Sequence, residues 1–221
     1  MKKYMALFSA FVFAAGLFVS GCGKDQEKTD DQDFEQKRLA GEYPDATVLN
    51  RAAEKEIESF AFSLKKGLSE AMRTGGPVNA IAVCSELAPE IAMAHAKEGW
   101  SIMRISDKSR NRNNRATAEQ LDILTEFYRV TQPLPFIAGW KRISGKQTYY
   151  YYKPIYVQEM CLNCHGSKND IKPETAAKLA ELYPDDAAVG YKINDLRGMF
   201  VVEIAWPAGR AHAEALVADS I

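Results

Sequence analysis

Cys161-Leu162-Asn163-Cys164-His165 is a C-x-x-C-H run. Its residue types and spacing match covalent attachment of a c-type haem. Two thiols held on one turn of backbone can add to the two vinyl groups of a porphyrin. The adjacent imidazole then lies against the iron as an axial ligand. Two other chemistries use similar residues. A C-x-x-C redox pair belongs in a βαβ setting, and none flanks this run. Zinc needs a fourth ligand, for which Cys84 is available. The haem reading uses Cys161, Cys164 and His165 at their own spacing, and it implies one covalent haem c.

Covalent haem attachment belongs outside the cytoplasm, and the start of the chain agrees. Lys2 and Lys3 form a basic n-region, and Met5 to Val19 is apolar but shorter than the ~20 residues a spanning helix needs. Val19-Ser20-Gly21-Cys22 resembles a bacterial lipobox, in which cleavage precedes a cysteine that is then acylated. The expected organisation is a signal peptide over 1–21, an acylated Cys22 with a disordered tether over 22–43, and a haem-binding domain over 44–221. Acyl chains would anchor an exported lipoprotein, facing the periplasm or cell exterior, to a membrane with no spanning helix. Gly23 follows the cysteine where an Asp would resemble an inner-membrane retention signal.

Cysteine arithmetic then isolates one residue. With Cys22 assigned to lipid and Cys161 and Cys164 to haem, Cys84 is left over. It is either a small buried hydrophobe or an iron ligand. The formal net charge is -1, and without Lys2 and Lys3 the remaining 26 basic and 29 acidic residues give -3. That balance offers no nucleic-acid surface. About 200 residues after cleavage suffice for one domain with a core.

The elements that must position these residues begin with helices. From Pro44 to Arg73, Leu49, Ala53, Ile57, Phe60, Leu64, Leu68 and Ala71 make a helical stripe closed by Gly75-Gly76. Pro77 opens a second helix with Ala80, Ile81, Cys84 and Leu87 on its apolar face. Pro89 interrupts it, because proline lacks an N–H and clashes with the carbonyl of Ser85. Cys84 is thus expected on an inward face just before a kink or break, with a short helix from Pro89 to Lys97. Trp100 to Ile105 reads as a strand and Asp107 to Arg115 as a polar loop. Thr117 and Gln120 have capping-box spacing before a helix marked by Leu121, Leu124 and Tyr128. Gln147 to Val157 is a tyrosine-rich strand with Tyr149 and Tyr151 on one face and Tyr150 and Tyr152 on the other. A helix over Pro173 to Tyr183, a strand over Met199 to Trp206 and a C-terminal helix from Pro207 follow. Helices first and strands later imply an α+β fold with an antiparallel sheet.

Several stretches, in this order, resemble a known family. They are Ala82-Val83-Cys84-Ser85-Glu86-Leu87-Ala88-Pro89, Arg104-Ile105-Ser106 with Arg110-Asn111, Tyr152-Lys153-Pro154-Ile155, Cys161 to Gly166, and Gly190-Tyr191-Lys192 with Asp195-Leu196-Arg197-Gly198. Over roughly residues 50–206 the chain resembles single-haem c-type proteins with a PAS-like fold, found as bacterial sensor modules and stand-alone exported proteins. The resemblance implies a PAS-like antiparallel sheet with long N-terminal helices. It also implies His165 and Cys84 as the two axial ligands. Such proteins often read Arg-Asn-Pro-x-Asn where this chain has Arg110-Asn111-Arg112-Asn113-Asn114.

From the residues alone, other partners for the iron are His95, His212, Met93, Met103, Met160 and Met199. Methionine is the usual partner in electron carriers, where it raises the potential. Arg104, Arg110 and Arg112 are candidates to meet haem propionates. The function expected is a redox or small-gas sensor that signals through a separate protein partner. A low-potential electron-transfer cytochrome is the alternative, and a haem enzyme such as a peroxidase the second alternative. A thiolate ligand would lower the potential, against a high-potential carrier. A filled sixth position weighs against an enzyme.

Overall fold

The computed structural model describes residues 32–129 and 131–218, and of Cys84 its backbone. The signal peptide, lipobox and Cys22 lie outside the described residues. The chain divides into two units, Met1–Pro44 and Asp45–Ile221. In the first unit, residues 32–39 form a helix, α1. The disordered tether expected over 22–43 is therefore helical in its second half. Lys37 pairs with Asp33 at 2.7 Å and Arg38 with Glu35 at 2.9 Å, one turn apart. Such exposed pairs, one turn apart, give a polar helix slight local support.

The second unit opens with α2, Ala46–Ala82. Asp45 caps it by accepting the Thr47 N–H at 2.7 Å. Its buried stripe is Leu49, Ala52, Ala53, Ile57 and Phe60, and each large side chain buried there contributes roughly 1.5–3 kcal/mol. The helix kinks sharply at Gly76, whose φ of 66° and ψ of -164° are not helical. Pro77 then starts a returning arm, as the Gly75-Gly76-Pro77 sequence predicts. Gly67 lets the arms close, since a Cβ there would lie 2.5 Å from Leu87 Cδ2.

Pro89 does not break the returning arm. The chain widens into a π turn over Val83–Leu87 and continues as α3, Ala88–His95. The Ala88 N–H reaches back five residues to the Val83 carbonyl. The wider turn accommodates a proline that has no N–H to give to Ser85. Cys84 lies within this π turn.

The sheet is β1 (Trp100–Ile105), β2 (Ile137–Ile143), β3 (Lys146–Tyr156) and β4 (Leu196–Ala205), antiparallel, in the order β1-β4-β3-β2. The fold is α+β. β2 has no counterpart in the sequence expectations. It is an edge strand with no fully buried residue, so its alternation is weak, and its turn to β3 uses positive φ at Ser144 and Gly145.

The sheet separates two apolar layers. Tyr149, Tyr151, Val202 and Ile204 face α2, α3 (Ile91) and the C-terminal helix α7 (Arg210–Ala218). Tyr152, Met199 and Val201 face α4 (Ala118–Arg129), with Leu124 and Phe127. The tyrosines thus alternate between faces as the strand period requires. The capping box of α4 is present: the Thr117 N–H donates to Gln120 Oε1 at 3.0 Å and the Gln120 N–H to Thr117 Oγ1 at 3.3 Å. No described helix is long and apolar enough to cross a membrane.

Candidate functional site

Between β3 and β4 the chain leaves the sheet to form the C-x-x-C-H turn. Cys161 ends a 3-10 turn over Glu159–Cys161 and caps α5, Leu162–His165. The Gln158 N–H donates to Cys161 Sγ at 3.4 Å. Both motif sulfurs are half-buried, and neither is in a disulfide. The turn is pinned to the segment before β4. The Tyr191 N–H donates to the His165 carbonyl at 3.0 Å and the Gly190 N–H to the Gly166 carbonyl at 2.8 Å.

His165 is held by its own ring. Nδ1 lies 2.7 Å from the Ala188 carbonyl oxygen. A carbonyl only accepts, so Nδ1 carries the proton and Nε2 keeps its lone pair. Burial pushes the imidazole pKa down to about 3, assisted by the positive charges of Arg197, Arg110 and Arg104. The ring is thus a neutral donor at physiological pH, which is the state a metal requires.

The three guanidinium groups differ in their surroundings. Arg110 is buried and tied to protein: Nε donates to Asp186 Oδ2 at 2.9 Å, and Nη2 to the carbonyls of Cys164 and Ala188. Arg104 leaves β1 near its Ile105 end and contributes positive potential at His165. Arg197 lies 5.4 Å over the Tyr191 ring, whose centroid is 6.3 Å from that of His165. Arg197 carried no site role in the sequence reading. Its signal was the following Gly198, where φ is 150° and a Cβ would overlap the Ile105 carbonyl. That close approach sets the Arg197 carbonyl 2.8 Å from Ser106 Oγ. Arg112 is exposed and pairs with Asp185. In the loop, Asn111 Oδ1 accepts the Asn113 N–H at 2.9 Å and starts a 3-10 turn over Arg112–Asn114. Asn111 thereby orders the loop.

The other candidate ligands fall elsewhere. His95 Nδ1 is 2.6 Å from Glu56 Oε1, and His212 Nε2 is 3.1 Å from Glu56 Oε2. His212 also packs edge-on against Trp100. Trp100 starts β1 whereas Ile105 ends it, a separation of about 16 Å along a strand. Met93, Met103 and Met160 are exposed, and Met199 is fully buried in the α4 layer. Cys84 is placed by its backbone alone, on the π turn. Among the described residues, no group of three His, Cys, Asp or Glu side chains is suited to hold a metal ion.

Two half-buried cysteines on the turn that ends in a neutral imidazole, among three arginine charges, fit a doubly attached porphyrin with anionic propionates. The fold and site together define an α+β domain with a C-x-x-C-H turn set between two sheet strands. The chain belongs to the Tll0287-like family, whose description matches residues 28–205. It is similar to the crystal structure of the cyanobacterial heme-protein Tll0287, with a TM-score of 0.54 and 28% sequence identity, covering 75% of this chain and 99% of that one. No curated protein matches the chain.

Proposed function

We propose that this chain carries one covalently attached haem c. We further propose that it acts as an exported, membrane-anchored redox or small-gas sensor with a PAS-like domain, signalling through a separate protein. The observation that carries the haem assignment is the neutral His165, its Nδ1 engaged by Ala188 and its Nε2 left for iron, within a turn that presents both Cys161 and Cys164. Similarity to a cyanobacterial heme-protein supports it. Bound haem would supply a one-electron store and a metal position that a small gas can occupy.

The protein's part is to hold that group. Cys161 and Cys164 would form the thioether links, and His165 and Cys84 would be the protein's ligands to the iron. Arg104 and Arg197 offer positive charge to the propionates. Cys84 on a π turn suits a sensor, because such turns hold one extra residue and recur at functional sites. A thiolate is retained more firmly by ferric than by ferrous iron. Weaker retention of the sulfur in the reduced state would make the π turn that carries Cys84 the two-state element a partner reads. Acylation of Cys22 provides the anchor.

Acid-acetone extraction tests the attachment. Haem should stay on the wild-type polypeptide and be lost from the Cys161→Ser/Cys164→Ser variant. Freely extracted haem, or zinc in its place, removes the assignment. Spectro-electrochemistry tests the sensor. Cys84→Ala should give a high-spin or re-ligated ferric spectrum and a higher potential. If the ferrous wild type neither loses sulfur nor binds carbon monoxide, a low-potential electron carrier replaces the sensor. Cys22→Ser should move the protein out of the membrane fraction with its haem spectrum unchanged.

A further inference from the structure

Behind the attachment turn sits a buried ion pair that the motif does not require. Arg110 and Asp186 have side chains only 7% and 10% exposed, with Nε and Oδ2 2.9 Å apart. Both charges act on one residue. Arg110 Nη2 donates to the Ala188 carbonyl at 3.4 Å, the same oxygen that His165 Nδ1 approaches at 2.7 Å. Asp186 Oδ1 accepts the Ala188 N–H at 2.8 Å. Arg110 also donates to the carbonyl of Cys164, the residue before His165.

We propose that Arg110 and Asp186 are positioning residues that set the donor strength of His165, Arg110 raising the haem potential and Asp186 lowering it. The inference rests on the haem assignment above. A carbonyl that already accepts from a cation is a poorer acceptor for a second donor. Arg110 therefore loosens the pull of Ala188 on the His165 N–H, and the imidazole becomes less electron-rich toward iron. A buried cation near the iron also disfavours the ferric state directly, and a buried carboxylate favours it. For Arg110 the two effects have the same sign, and Asp186 opposes both by placing its carboxylate 2.9 Å from the Arg110 Nε.

The test is the midpoint potential of the haem-loaded wild type and four variants, with the NMR position of the His165 Nδ1 proton in the ferrous state. Arg110→Gln should lower the potential and move that proton downfield as its hydrogen bond strengthens. Asp186→Asn keeps the shape and the Oδ1 acceptor, and should raise the potential. The double variant should return toward wild type, and Arg110→Lys, which keeps the charge, should stay closer to wild type than Arg110→Gln. If Arg110→Gln does not fold, Asp186→Asn and Arg110→Lys still decide the sign. A merely structural pair would shift both single variants the same way or neither, and that result overturns the inference. Failure of the wild type to hold haem overturns instead the assignment beneath it.

Discussion

His165 Nδ1 lies 2.7 Å from the carbonyl oxygen of Ala188, 23 residues further along the chain. This one contact chooses the tautomer of the ring. It also joins the C-x-x-C-H turn to the segment that leads into β4, so the motif is held from outside as well as from its own short helix.

The haem-free chain should lose stability in acid because of His165. Its folded pKa, pushed to about 3 chiefly by burial, lies below the ordinary 6.5. The unfolded state therefore takes the proton first. The contribution is fully present above about pH 6.5 and is lost as pH falls toward 3, by at most about 1.4 kcal/mol per pH unit. Urea unfolding of the haem-free protein at pH 7.5, 6 and 5, beside His165→Gln, measures it. Equal pH slopes for the two proteins would show that His165 is not held neutral.

Glu56 is 3% exposed and is shared by His95 from α3 and His212 from α7. Glu56→Ala leaves two partly buried ring nitrogens without their carboxylate and should cost about 1–3 kcal/mol. Hydrogen exchange should quicken in α7, which the carboxylate ties to α2. The haem spectrum should not change, because this cluster sits at the Trp100 end of β1. A His95→Ala variant with an altered ferric spectrum would instead make His95 the axial ligand.

Gly198 is required by shape. At φ 150° an added methyl would overlap the Ile105 carbonyl oxygen. Gly198→Ala should destabilise the protein by about 2–3 kcal/mol or more and displace Arg197. A thermal melt within a degree of wild type would contradict this.

Gly67 should tolerate a small side chain and reject a branched one. A Cβ there meets the flexible end of Leu87 at 2.5 Å and Val83 Cγ1 at 3.5 Å. In Gly67→Ala the gain in helix propensity, roughly 1 kcal/mol, offsets the local adjustment of Leu87. Gly67→Val should cost about 1–3 kcal/mol by overpacking and push the π turn, with Cys84, away from the first arm. Calorimetry together with the ferric spectrum distinguishes the two variants. Identical behaviour would mean that the arms are not closely packed in solution.

Much of the framework was legible from local pattern. The helical stripe of Leu49, Ile57 and Phe60, the Gly75-Gly76-Pro77 reversal, the Thr117 and Gln120 capping box and the alternation of Tyr149 to Tyr152 each depend on residues a few positions apart. The C-x-x-C-H run was legible for the same reason, since both tethers and the imidazole come from one turn. Tertiary structure decided the rest. Pro89 marked a disturbance, but whether the helix broke or widened into a π turn depended on the packing of Val83 and Leu87 over Gly67. β2 is a strand because β3 offers it an edge, which its own weak alternation does not reveal. His165 finds Ala188, Arg110 finds Asp186, and Glu56 gathers His95 and His212 across separations of 23 to 156 residues. No local period encodes such pairings. They exist because the fold brings buried polar groups together, and each must find a partner once water is excluded.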